Sequence, residues 1–409
     1  MRYPSDLGGR YTPMYFLAAL GAGGLAVSFF MYLMWLTPHP ASPIPTFGSL
    51  SSTWAEGTPV MRGLIGLSAA GIALFSVLHL RLLAWNLRQC TRWLATPAAE
   101  ALRSGNAETQ LMALPLALAM AVNVGFIFGA VFVPGLWEQR ELLFPLAVLA
   151  FAAIGILAMR MFLAFLGRNL AFGGFDCAKN NSLGQMLSVF TFAMVGVGLS
   201  AAAAMSQVKW IVAAAFAGAM FFIVAAGILG VVFLVLGFRA MMEHAAAEET
   251  TPTLWMLIPI LTVFGIAVFR LKMSLAHTFN SPVTTGEIFA LLLGIVAAQL
   301  LFGLIGWAVM SRVGYFAKYV SGGTRSPGSF ALVCPGVGLF VSGQFLVHAA
   351  LVRLGLIELY SIAHGLVLLP LLALQVATIA LFFKLSKKLM SAAPEAPPRA
   401  APATLETAA

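Results

Sequence analysis

Charge is the first thing this chain is short of. Asp, Glu, Lys and Arg make up 9% of its 409 residues, where a soluble domain carries roughly a quarter. Hydrophobic residues make up 61%, and mean hydropathy is +0.95. A water-soluble fold has no use for that much apolar surface, so the composition excludes an ordinary globular enzyme or binding module. Acid is scarcer than base, with 14 Asp and Glu against 23 Lys and Arg. All the acids can be placed in loops, tails or helix ends, with none mid-span. Proton- and cation-coupled transporters commonly bury carboxylates, so coupling to a cation is disfavoured.

Cysteine is nearly absent too. Cys90, Cys177 and Cys334 are far apart and form no CxxC or metal-ligand spacing. That argues against zinc and structural disulfides, and no metal or cofactor is expected. No Walker loop, dinucleotide fingerprint or HExxH occurs, which removes support for ATP-driven transport and metalloprotease chemistry. The histidines do not make a site by spacing: His348 and His364 lie toward one face on adjacent helices, His79 and His244 toward the other. The pI near 9.8 does not imply nucleic acid, because the basic residues sit in short loops where membrane topology explains them.

What is present is a series of apolar runs long enough to cross a bilayer. They lie at about 13–36, 60–84, 110–134, 142–167, 183–205, 209–238, 252–273, 285–310, 328–351 and 361–386, each near the roughly 20 residues a span requires. The chain therefore reads as an all-α polytopic membrane protein of about ten transmembrane helices. Residues 1–12 form a short N-terminus, 13–388 the transmembrane domain, and 389–409 an Ala/Pro-rich tail expected to be disordered. The first run is too long for a signal-peptide core and lacks a cleavage site. Alternating the loops puts seventeen of the 23 basic residues on one side, so both termini are expected in the cytoplasm of a bacterial inner membrane.

Even-numbered runs end in a basic residue at that side: Arg88, Arg168, Arg239, Arg312 and Lys384. Their nearly even spacing suggests five helical hairpins around a central pore, one helix of each pair inside. Snorkelling Arg and Lys at helix ends would leave the same trace in any alternating bundle. The odd runs look like the inner set, carrying close-packing pairs such as Gly24 with Ser28 and Gly196 with Ser200. Run 6 is also rich in small residues, so the odd/even division is a tendency.

The densest cluster of backbone-perturbing residues is in run 9, SPGSFALVCPGVGLFVSGQF, Ser326 to Phe345. Pro335 removes a helical hydrogen bond to Ala331, and Gly336 and Gly338 leave the bend unfilled. In lipid such a segment needs cover from protein or a water-filled cavity, so this helix should face inward. Cys334 lies about 10 Å from the basic boundary at 1.5 Å per residue, either as a small buried hydrophobe or as a functional thiol or gate. Asn123 and Gln344 are polar within spans, as are Ser188 and Thr191 in run 5 and Thr262 in run 7. They serve either interhelical hydrogen bonding or pore lining. Arg270 and Lys272, near the outer end of run 7, either draw anions to the mouth or anchor the helix at the interface.

Ten helices, an opening P-x-Y-F-x5-G-x-x-G-L-A from Pro13 to Ala26, and SFALVCPGVG in run 9 together resemble the tellurite-resistance/dicarboxylate transporter family. That family includes bacterial TehA and the plant slow anion channels. The resemblance implies five hairpins around a pore lined by odd helices, a trimeric assembly and passage of small anions. Family members often carry Phe before the run 9 Pro. Here Cys334 stands there and Phe330 is the nearest preceding aromatic, so a Phe gate is not carried over. The Cys-Pro-Gly reading is similar to the TsoY-type (seleno)protein sub-branch.

The expectation is a channel or secondary transporter for a small anion, or for a small neutral or sulfur- or selenium-containing solute. Its pore would narrow at Cys334–Pro335, with the lipid bilayer and further copies of the chain as its partners and no nucleic acid. The alternative is a membrane-embedded thiol oxidoreductase using Cys334. A non-transporting subunit with a packed axis is a third reading.

Overall fold

The computed structural model describes residues 3–390, so the tail from residue 391 lies outside the described residues. Among these residues every regular element is helical. Ten helices are long and apolar enough to span a membrane: Pro13–Leu36, Pro59–Trp93, Asn106–Phe132, Trp137–Phe172, Met186–Met205, Lys209–His244, Glu248–Thr278, Thr285–Arg312, Pro327–Val352 and Ile362–Met390. They are called spans 1 to 10. Spans 2, 4 and 6 run well beyond the apolar runs, to Trp93, Phe172 and His244. Their extra turns carry polar and basic residues past the apolar layer, so hydropathy alone cut them short.

Burial separates the spans into two rings. In the odd spans 83, 50, 94, 56 and 78% of the central stretch is buried, against 39, 22, 28, 17 and 17% in the even spans. The even spans turn Leu142, Leu149, Ile156, Val231, Val235, Leu304, Leu366 and Val376 outward. That is the surface acyl chains require. The chain is a multi-pass, all-α membrane protein of five helical hairpins, odd helices inside.

The inner ring closes through small residues and single polar contacts. Between spans 1 and 9, a Cβ at Gly21 would stand 2.9 Å from Val333 Cγ1. Gly23 sits against Met120 of span 3. Spans 3 and 5 meet where Thr191 Oγ1 donates to the Met112 carbonyl at 3.0 Å. Spans 5 and 7 meet where Arg270 Nη1 donates to the Val197 carbonyl at 3.0 Å. Gly338 of span 9 completes the circuit, its Cα facing Thr262 and the Pro259 backbone of span 7. Side chains larger than hydrogen at these glycines would hold the helices apart. The small residues of span 6 pack it outside the ring: Gly196 of span 5 accepts Ile223, and Gly218 lies against Leu199.

A fivefold internal repeat becomes visible in the backbone. Spans 1, 3, 7 and 9 open with 3₁₀ turns, Pro13–Tyr15, Asn106–Met112, Glu248–Met256 and Pro327–Leu332. Span 5 does the same through Met186 N–H to Leu183 and Leu187 N–H to Gly184. The α-helical parts then begin at Phe16, Ala113, Met186, Leu257 and Val333. Two residues on stand Ala18, Pro115, Ser188, Pro259 and Pro335; four residues before stand Thr12, Thr109, Ser182, Thr253 and Ser329.

This register corrects the expected role of Pro335. The proline does not kink the middle of a helix. It occupies the first α turn, where bonding changes from i−3 to i−4 and a missing N–H costs least. The departure from regular helix lies at the other end of span 9, in a π-helical segment Leu346–Val352.

Candidate functional site

The ring encloses a cavity of about 390 Å³. Four odd spans present one repeating stripe to it: Leu20, Gly24, Val27 and Met31; Phe190, Met194, Val197 and Ala201; Pro259, Val263, Ile266 and Arg270; Cys334, Gly338, Val341 and Phe345. Span 3 adds Met120, Asn123 and Ile127. The i, i+4, i+7, i+11 spacing keeps one helix face on the axis over three turns. Toward the basic end the cavity stops at Cys334 and Pro259. Toward the far end it reaches the loop residues Ile44 and Leu136 and the start of span 4 at Trp137 and Arg140.

Its walls are apolar with few available donors. Thr262 lines the cavity, but its hydroxyl is consumed: it donates to Ile258 O at 3.0 Å and accepts from Gln299 Nε2 at 2.7 Å and Ser342 Oγ at 3.1 Å. Asn123 has only a long contact from Nδ2 to the Met194 sulfur, 3.5 Å. Arg140 is partly neutralised by Glu141 at 3.7 Å and lies over the Trp137 ring at 5.2 Å.

Arg270 differs from all of these. It lies thirteen residues into the α-helical part of span 7, Leu257–Thr278, so about 20 Å from that start and about 12 Å from the far end. Among the described residues its one hydrogen bond is to Val197 O, which leaves most of a five-donor fork to the cavity. No carboxylate lies within ion-pair distance of it among the described residues. A lone cation inside an apolar span costs several kcal/mol unless water or an anion reaches it. Sequence put Arg270 near the outer end of run 7, as an anion attractor at the mouth or an interface anchor; it lies deeper and lines the cavity.

Of the twelve residues singled out from sequence, the fold brings Asn123, Thr262, Arg270, Cys334 and Gly338 to the cavity. The others are placed elsewhere. Lys272 is two residues past Arg270, on the opposite side of the helix, and pairs with Glu287 at 2.7 Å. Gly336 faces Thr378 of span 10. Phe330, Pro335 and Gln344 are buried in span 9 packing, and Gln344 Oε1 has no partner. Ser188 is fully buried, and Thr191 shares its hydroxyl hydrogen between Met112 O and Leu187 O. Sequence reasoning passed over Phe190, Met194, Val197 and Arg140; the shared stripe spacing was the available signal.

Cys334 has no base beside it within the cavity lining. The ionisable groups there, Arg140 and Arg270, lie toward the far end. Arg270 is eleven residues past Pro259, the residue level with Cys334, which is about 16 Å along the axis. His348 and His364, placed by sequence toward one face on adjacent helices, do meet: their Nε2 atoms are 3.0 Å apart. His348 Nδ1 lies 2.9 Å from the Gln344 carbonyl, which can only accept, so Nδ1 carries the hydrogen and Nε2 accepts from His364. Each Nε2 is occupied by the other, so this contact is structural.

Fold and site together define a ten-span integral membrane protein built around a central cavity that holds one uncompensated guanidinium. No protein-family model, curated protein or solved structure matches the chain.

Proposed function

We propose that this protein is a channel or secondary transporter that passes a small anion through its central cavity. Arg270 carries the reading: a cation kept inside an apolar span, bonded to one carbonyl and turned into a cavity that reaches the far-end loops. Its charge offsets part of the cost of stripping water from an anion in a low-dielectric layer. Arg140 and Trp137 stand at the mouth and meet the solute first. Transit past Cys334 and Pro259, where the cavity ends, requires spans 7 and 9 to separate at that level. The resemblance to the tellurite-resistance/dicarboxylate transporter family, a trimeric assembly, and an inner-membrane location with cytoplasmic termini belong to the same proposal.

The test is flux into proteoliposomes. Wild-type protein should move at least one of chloride, nitrate, thiosulfate, selenite or a small carboxylate, and Arg270→Gln should remove most of that flux. No movement of any of these anions would sink the reading.

A further inference from the structure

We propose that the preferred ligand of the cavity is a monocarboxylate with an apolar body, rather than a hard inorganic anion or a dicarboxylate. This rests on the reading of the cavity as an anion site. Charge sets the first limit. Arg270 supplies one uncompensated cation, while Arg140 is already beside Glu141. One carboxylate fits that charge and accepts two parallel N–H bonds from a guanidinium. A second carboxylate would enter apolar surroundings with no partner.

Donor supply sets the second limit. A compact, strongly hydrated anion needs several donors to replace its water. Here the hydroxyl of Thr262 is committed to Ile258, Gln299 and Ser342, which leaves Asn123 and Arg270 within the cavity and Arg140 and Trp137 at its mouth. The remaining wall of Met194, Val263, Ile266 and Val341 rewards an apolar body instead.

Space and position agree. The cavity of about 390 Å³ would hold roughly a dozen waters at liquid density, far more room than a carboxylate head fills. Its lining also extends to the seam between spans 3 and 4. Gly125 stands there with nothing within 4 Å of where a side chain would begin. Gly125 is exposed seven residues short of the end of span 3, and a lining that opens there suits an apolar-bodied ligand better than a hydrated ion.

The experiment is isothermal titration calorimetry of the full chain in nanodiscs against acetate, butyrate and hexanoate, with chloride, nitrate and succinate as comparisons. Affinity should rise about fourfold per added methylene, and hexanoate should bind at least tenfold tighter than chloride or succinate. Arg270→Gln should weaken hexanoate at least tenfold more than it weakens the neutral hexanamide. Ala201→Phe, which fills cavity volume, should weaken hexanoate more than acetate. A flat chain-length series, or chloride or succinate binding as tightly as hexanoate, would overturn the assignment while leaving anion passage intact. Absence of any anion binding and of any flux would instead remove the underlying reading.

Discussion

The two ends of the central cavity are built on opposite principles. At the basic end, Cys334, Pro259 and Gly338 are held by close backbone approach, and the one hydroxyl there is fully engaged by Gln299 and Ser342. At the far end, Arg270 has a single carbonyl partner and open volume in front of it. One end is limited by packing and has little chemistry to offer. The other offers charge and is loosely filled. On the proposed reading, selection of a solute belongs to the far end and closure of the path to the basic end.

The strongest way to break this contrast is Arg270→Gln. Removing a buried, hydrogen-bonding cation should weaken anion binding and flux by about thirtyfold or more, with Arg270→Lys intermediate. An effect below about threefold, measured in proteoliposomes, would show that the far end does not select.

Next comes Gly338→Val. A Cβ added there would stand 2.8 Å from Thr262 Oγ1 and 3.0 Å from Pro259 Cα. Overpacking should cost about 1–3 kcal/mol, read as a lower midpoint of thermal unfolding. An unchanged midpoint would mean that the basic end is not tightly packed.

Cys334→Ser should alter anion flux by less than about threefold, because hydroxyl and thiol are nearly equal in size and no base activates the sulfur. Complete loss of turnover would move the assignment to thiol chemistry. The smallest effect belongs to Lys272→Gln. Its exposed pair with Glu287 is screened by solvent and contributes little, and flux should stay within twofold of wild type. A large fall would place the charge at the mouth after all.

Much of the architecture was legible from hydropathy. Ten runs become ten spans, and small residues mark the odd helices as the inner set because only they let backbones approach across the ring. The ends of spans 2, 4 and 6 were not legible, since polar turns beyond the apolar layer carry no hydropathy signal. Pro335 misled in a specific way: its presence in a run was visible, but its register was not. Only the 3₁₀ turn Pro327–Leu332 puts it in the first α turn, level with Pro115 and Pro259.

The site was half legible. Arg270 and Lys272 looked equivalent in sequence, two cations at one helix end. A rotation of about 100° per residue sends one to the axis and the other to a surface carboxylate. Thr262 read in sequence as either an interhelical hydrogen-bonding group or a pore liner; it lines the cavity, but Gln299 of the outer ring and Ser342 of span 9 both donate to its hydroxyl.

By itself the sequence determined that this chain crosses a membrane about ten times, which side of it is basic, and that no carboxylate is buried mid-span. Those properties are sums over residues, and sums survive without coordinates. Only the tertiary structure decided which cation faces a cavity and which hydroxyls are already spent. Both depend on the rotation of one helix against another, and composition carries no record of that angle.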